Sequence, residues 1–223
     1  ADKYQVPVVI LTDQYTMDTY YNINNLPVPK GKLKKFIIKT KTDYQRYSFK
    51  TEKGVSPRGI PGNGEGFVRT DSDEHDENGL ITEDMDIRNR MMEKRMDKMN
   101  LIKQEAISPE LIGSKDYKIL CVGWGSTFHI IKEAVEKLNN KDVASLYFKQ
   151  VFPISEDAID YLQKANQIIS IENNYSGQFA QLLEKSTGIN INARILKYNG
   201  LPFYADELAK EIKETISGKG GKK

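Results

Sequence analysis

Between Tyr117 and Ile216 the chain alternates short β-rich runs with helical periods, a pattern that few architectures accept. Lys118–Val122 (KILCV) reads as a strand. Thr127–Leu138 reads as a helix whose apolar residues fall at Ile130, Ile131, Ala134, Val135 and Leu138, one face of a 3.6-residue period. Val143–Phe148 is a second strand, and a helix over Glu156–Ala165 follows, with Ser155 placed to cap it through its hydroxyl. Gln167–Glu172 gives a third strand, Gly177–Ser186 a helix that stops at Gly188, Ile191–Leu196 a fourth strand and Ala205–Ile216 a last helix. Strands separated by whole helices cannot close hairpins. They need crossover connections, which build a mostly parallel sheet with helices on both faces. An α/β fold is the expectation.

The first 115 residues are less regular. Val6–Thr12 (VPVVILT) is nearly all apolar, as a strand buried on both faces would be. One strand is not a domain, and the chain opens at Ala1 without a methionine, so it is expected to be a piece whose strand partners are encoded ahead of it. Asn22–Pro29, with Pro27 and Pro29, reads as a linker. Lys30–Lys50 carries eight Lys/Arg against the single acid Asp43, while Asp71–Asp86 carries eight acids and no Lys/Arg. Between them Gly54–Gly66 (GVSPRGIPGNGEG), with five glycines and two prolines, is loop. Thr82 is placed to cap a helix over Glu83–Lys103 that holds five of the six methionines. Met85, Met92, Met96 and Met99 share one side of it, suited to lie against a core or a partner subunit. There is no internal repeat, and Gly218–Lys223 reads as a mobile tail.

Several chemistries are excluded. With 33 Lys/Arg against 31 Asp/Glu, nothing argues for wholesale binding to nucleic acid or membrane. The lone cysteine, Cys121, allows no internal disulfide and no Cys₄ metal or iron–sulfur site, and burial in an apolar strand would blunt its thiol. No apolar run reaches the ~18 residues of a membrane span, and no charged-then-apolar leader is present, so a reducing, cytoplasmic setting is the expectation. The turn Gly123-Trp124-Gly125-Ser126-Thr127 has a dinucleotide-like look, but Phe128 stands at the third glycine position and Asp142 precedes the second strand. Two readings stay open: the amides of Gly125, Ser126 and Thr127 hold an anion, or this is a tight turn capped by Ser126 or Thr127. Glu172, Asn173 and Asn174 end the third strand at the sheet edge where ligands bind, and could equally form a helix entry capped by Asn173 or Asn174. His75 sits in Asp73-Glu74-His75-Asp76-Glu77, whose spacing is not that of an EF-hand. That run is a solvated acidic loop, a docking element for Lys30–Lys50 or another subunit, or a site of metal or acid–base work. His129, the other histidine, is a helix residue. No G-x-S-x-G elbow, P-loop or triad is present. From its residues the chain has a scaffold and no catalytic constellation.

The order of its motifs resembles the C-terminal half of the alpha subunit of 2-oxoacid:ferredoxin oxidoreductases, thiamine-diphosphate enzymes that oxidatively decarboxylate 2-oxoacids to acyl-CoA. The segments that carry the resemblance are PVVILTDQYTMD at Pro7–Asp18, GVSPRGIPG at Gly54–Gly62, DEHDENG at Asp73–Gly79 and EKR at Glu93–Arg95. They continue with VGWGST at Val122–Thr127, FPIS at Phe152–Ser155, IENNYSGQFAQLL at Ile171–Leu183 and KYNGLPF at Lys197–Phe203. The SPR and EHDE elements look most like the 2-oxoglutarate or broad 2-oxoacid branch.

The resemblance implies that residues 1–21 are the last strand and helix of a pyrimidine-binding thiamine domain. Residues 22–115 would be a connector and interface region, and 116–217 a transketolase C-terminal-like domain with room for one antiparallel strand, ahead of the tail at 218–223. It implies a beta subunit and the N-terminal half of the alpha subunit as partners in a symmetric oligomer, with coenzyme A and ferredoxin acting on the whole complex. Thiamine diphosphate, Mg²⁺ and iron–sulfur clusters would be held elsewhere in that complex, because the motifs that bind them do not occur in this chain. The chain alone is then expected to be inactive and to frame the substrate channel. Arg58, Glu74 and His75 are the channel candidates, with Arg58 suited to pair a substrate carboxylate. Gly125, Ser126, Thr127, Glu172, Asn173 and Asn174 are the candidates for an anionic-ligand edge, such as part of coenzyme A. The rival reading is a stand-alone α/β module that binds a nucleotide or anion without catalysis.

Overall fold

The computed structural model describes residues 1–26 and 35–218 of the 223. The expected linker from Pro27 on, the basic residues up to Lys34 and the tail beyond Gly218 lie outside the described residues. The elements are α1 (Gln14–Asp18), α2 (Met85–Gln104), β1 (Glu110–Gly113), β2 (Ile119–Trp124), α3 (Thr127–Leu138), β3 (Val143–Phe148), α4 (Asp157–Lys164), β4 (Gln167–Glu172), α5 (Gln178–Thr187), β5 (Ala193–Leu196) and α6 (Ala205–Ile216). They divide into two compact units. One comprises Ala1–Val9 and Asn22–Gln104, the other Ile10–Tyr21 and the chain from Glu105 onward.

The second unit is the expected α/β fold, of the transketolase C-terminal-like kind. Its five-stranded sheet has the order β1-β3-β2-β4-β5. β2, β3, β4 and β5 run parallel, and β1 alone pairs antiparallel, on β3. The register sets Leu120 beside Ala144 and Ile168, and Cys121 beside Ser145 and Ile169. Alternate residues therefore feed two cores. Leu120, Val122, Leu146 and Ile168 pack with Ala158 and Leu162 of α4 and Phe179 and Leu183 of α5. Cys121, Val143, Ile169, Ile171 and Ile195 pack with Ile131 and Ala134 of α3 and Leu208 and Ile212 of α6. Burial on both faces explains why these strands read as unbroken apolar runs. It also pushes the Cys121 thiol up to about 12.

Several sequence expectations need correction. β1 is the one antiparallel strand for which the resemblance left room, but the residues give no sign of its position: four half-exposed residues (ELIG) at a sheet edge carry almost no periodicity. Because β1 pairs with β3, the α/β unit takes in residues ahead of the expected boundary at 116. Val6–Thr12 forms no strand. A strand is held by the ladder it shares, and this segment has no ladder partner among the described residues. Its Val8, Val9, Ile10 and Leu11 are exposed. Ser155 does not cap α4 with its hydroxyl; its carbonyl instead accepts from the Ala158 amide at 3.0 Å.

The first unit is built from turns, isolated bridges and α2. Bridges join Ile37 to Arg58, Thr40 to Gly64 and His75 to Ile81. Asp84, not Thr82, caps α2, its carboxylate accepting from the amides of Asp86 at 2.8 Å and Ile87 at 3.1 Å. The packed face of α2 is also not the methionine stripe. It runs through Ile87, Met91, Lys94 and Lys98, at helical spacing, while Met85, Met92 and Met96 are exposed. The reason lies at Gly54, whose missing Cβ would stand 2.1 Å from the Lys94 carbonyl oxygen. That close approach, with Gly54 at φ +77°, brings the lysine face inward. No helix among the described residues is long and apolar enough to cross a membrane.

Gly123 of β2 lets α3 approach the sheet, since a Cβ there would lie 2.1 Å from Ile131 Cδ1. Gly123→Val should therefore overpack this contact and destabilise the chain by roughly 1–3 kcal/mol, read as a lower midpoint in chemical denaturation.

Candidate functional site

In the first unit Tyr44 fastens the Gly54–Gly66 loop. Its hydroxyl donates to the Pro57 carbonyl at 2.9 Å and accepts from the Gly59 amide at 2.7 Å. This holds Arg58 between two anchored residues. Arg58 Nη2 pairs with Asp2 Oδ1 at 2.6 Å, and its buried Nε has no hydrogen-bond partner. The guanidinium is thus only partly used, with Nε left as a buried donor without a partner.

Glu74 is fully engaged. It receives both terminal nitrogens of Arg95, one of them at 3.2 Å, and these bonds hold its carboxyl below the usual range. His75 is buried to 9% exposure, with its ring 4.0 Å from that of Tyr47. Its Nδ1 lies 2.8 Å from the Asp73 carbonyl, which can only accept, so Nδ1 is the donor in this contact. Burial pushes the Asp76 carboxyl up, but bonds from the Leu80 and Asn78 amides outweigh it and hold the group below its usual range. The acidic run is therefore a folded turn rather than a solvated loop. No group of three or more His, Cys, Asp or Glu side chains converges among the described residues.

Sequence reasoning missed a basic cluster on the inner face of α2. Lys94 donates to the Gly54 carbonyl at 3.5 Å and Lys98 to the Gln5 carbonyl at 3.4 Å. Arg46 donates to Gln5 Oε1 at 2.8 Å. Burial first, then the charges of Lys98, Arg46 and Arg95, push the Lys94 ammonium down to about 8. The signal in the sequence was the i, i+4 pair of lysines on the same side as Met91.

In the second unit the carboxyl edge of the sheet is largely spent on structure. Thr127 Oγ1 accepts from the Trp124 amide at 3.1 Å and donates to the Trp124 carbonyl at 2.7 Å. The Ser126 hydroxyl bonds the carboxylate of Asp13. Asp13 also caps α1, accepting from Thr16. A carboxylate of the chain itself thus stands beside the amides of Gly125, Ser126 and Thr127, which opposes a second anion there. Phe128 packs on Tyr147 with centroids 4.5 Å apart, and the close approach of helix to strand is made at Gly123 instead.

Glu172 is wholly buried. Its carboxylate accepts from Ser170 Oγ at 2.8 Å, Asn174 Nδ2 at 2.8 Å, and the amides of Phe179 at 2.8 Å and Ala180 at 2.9 Å. Those amides belong to the first turn of α5, so Glu172 caps that helix from the end of β4. Asn174 caps the entry turn by accepting from the Gly177 amide at 2.7 Å. Asn173 is exposed and remains available.

A parallel α/β sheet with one antiparallel edge strand, preceded by a turn-rich unit presenting arginine and lysine, is the class that these features define. No family profile matches the chain. It is related to the alpha subunits of 2-oxoacid:ferredoxin oxidoreductases. It is 32% identical to subunit alpha of 2-oxoacid:ferredoxin oxidoreductase 1 of Sulfurisphaera tokodaii, over 97% of this chain and 35% of that one. It shares 32% with the corresponding subunit of Saccharolobus solfataricus over the same shares. With the 2-oxoglutarate oxidoreductase subunit KorA of Mycobacterium tuberculosis the identity is 23%, over 98% of this chain and 34% of that one. The chain thus spans about a third of the length of these relatives. Among solved structures, the 2-oxoglutarate:ferredoxin oxidoreductase from Magnetococcus marinus, with 2-oxoglutarate, coenzyme A and succinyl-CoA bound, matches 78% of this chain and 31% of that one. The TM-score is 0.72 and the identity 26%.

Two outcomes are expected. Glu172→Gln, which turns an amide N–H toward hydrogen-bond donors, should cost roughly 2–4 kcal/mol of stability in denaturant titrations. For Lys94, the unfolded chain keeps its proton up to about 10.4, whereas the folded chain loses it near 8. Folding therefore releases a proton between those values, and the penalty of the buried charge, complete below about 8, fades as pH rises through that window. In phosphate-free buffer Lys94→Met should raise the unfolding midpoint near pH ~7, with a gain that shrinks toward pH ~10. An equal gain at both would trace the effect to packing alone.

Proposed function

We propose that this chain is the C-terminal portion of the alpha subunit of a CoA-acylating 2-oxoacid:ferredoxin oxidoreductase, where it frames the active-site channel and a subunit interface. The observation that carries this reading is agreement along nearly the whole chain, 97% of it in sequence and 78% in structure. In the reaction a 2-oxoacid anion loses CO₂, its acyl group forms a thioester with coenzyme A, and an electron pair passes to ferredoxin with release of the thiol proton.

The residues present do not fit the redox and thiamine cofactors. The thiol of Cys121 is buried with its proton held up to about 12, so it is no iron–sulfur ligand. Glu172, the buried carboxylate among the described residues, is saturated by donors of its own chain and has none left for an aminopyrimidine. Those groups belong to the beta subunit and to the remainder of the alpha subunit. Val6–Thr12, which is no strand among the described residues, would pair as one only against a pyrimidine-binding domain supplied by that remainder. Its exposed apolar side chains support this.

Within this frame Arg58 is the group that selects a dicarboxylate, because its partly exposed guanidinium is held in an anchored loop. The substrate is then 2-oxoglutarate, as the bound ligand of the Magnetococcus protein also suggests. Co-expression with the beta subunit and the preceding alpha region should give a complex that reduces ferredoxin with 2-oxoacid and coenzyme A. The chain alone should show no turnover, and failure to join such a complex would overturn the assignment. In the assembled enzyme Arg58→Ala should raise KM for 2-oxoglutarate by about tenfold or more and leave that for pyruvate within about twofold. Equal effects on both would remove Arg58 from substrate selection.

A further inference from the structure

The packing of α2 is unusual: Met85, Met92 and Met96 face outward, while Lys94 and Lys98 turn inward with Met91, toward Gly54 and Gln5. Lysine is placed this way at a cost, since partial burial penalises the ammonium and three further cations surround Lys94. A carboxylate would ordinarily offset that cost, yet among the described residues neither Lys94 nor Lys98 has an ion-pair partner. Arg95 is taken by Glu74. Glu77, whose charge acts on Lys94, is bonded to the Phe49 amide at 2.7 Å and forms no ion pair with the lysine. The residue on which Lys98 and Arg46 converge is neutral. Gln5 meets Lys98 with its carbonyl and Arg46 with its side-chain oxygen, and its side-chain nitrogen donates to the Ser56 carbonyl at 2.6 Å. Its backbone holds φ 54°, a conformation that a non-glycine residue adopts only under local constraint.

We propose that Arg46 and Lys98 at Gln5, with Lys94 beside them at Gly54, form a binding site for a phosphate-monoester dianion. Ammonium groups held by long bonds to main-chain carbonyls keep donors to spare, and Arg46 can present a planar fork. Several cations on one spot match a doubly charged tetrahedral oxyanion better than a single carboxylate, which the Arg95–Glu74 pair shows can be met by one arginine. The site stands on this geometry alone and not on the enzyme assignment.

The whole 223-residue chain is titrated calorimetrically, in buffer free of phosphate, with inorganic phosphate, coenzyme A and dephospho-coenzyme A. The expected result is saturable one-to-one binding of inorganic phosphate or coenzyme A, weakened by about tenfold or more in Lys94→Gln and Lys98→Gln. Gln5→Glu, which sets a carboxylate among the cations, should weaken binding as strongly while raising the unfolding midpoint, so loss of fold cannot mimic the result. If the ligand is the 3′-phosphate of coenzyme A, dephospho-coenzyme A binds about tenfold more weakly than the parent; if it is free phosphate, the two are alike. The proposal is overturned if none of the three probes binds, or if binding survives all three substitutions. Binding of 2-oxoglutarate that needs these residues, with no response to phosphate, would overturn it too, by making the site a carboxylate site.

Discussion

The buried Glu172 carboxylate governs the carboxyl edge of the sheet. It ends β4, and its two oxygens are divided among a serine hydroxyl, an asparagine amide and two backbone N–H groups of α5. Removing that charge from water is costly, and four donors together with the positive end of a helix offset the cost. Because the donors come from both strand and helix, the carboxylate fixes where α5 begins and how it lies on the sheet. Phe179 and Leu183 are delivered into one core as a result. Asn173 is left exposed at this edge because Glu172 and Asn174 have completed the turn, while Tyr175 sets its ring edge-on to that of Tyr198.

Much of the α/β unit was legible in the sequence for one reason: its strands are buried on both faces. Continuous apolar runs alternating with amphipathic helices leave few alternatives, and the helices and parallel strands fall within a few residues of their expected bounds. β1 was invisible, since a short edge strand has neither a continuous run nor a clear alternation. Val6–Thr12 shows the converse. Its composition is that of a strand, but hydrogen bonding decides secondary structure, and no ladder forms for it among the described residues.

The candidate residues were less legible, because their roles depend on contacts distant in sequence. Glu74 is set by Arg95 and His75 by the face of Tyr47, and neither pairing leaves a trace in local spacing. The methionine stripe of α2 misled for a definite reason. Hydrophobicity points inward by default, but a glycine carrying no Cβ let the backbone of the first unit approach the lysine side. Arg58 was recognisable as a candidate, while its partly used guanidinium depends on Asp2 at the far end of the unit.

The exposed Val8–Leu11 segment bears on how such a chain is made. An apolar run whose main-chain groups lack ladder partners among the described residues is a template onto which another copy can add as a neighbouring strand, the route by which chains precipitate. A cell producing this polypeptide has reason to couple its synthesis to that of whatever shields the segment. Recovery of the free polypeptide in soluble form would then fall as its concentration rises.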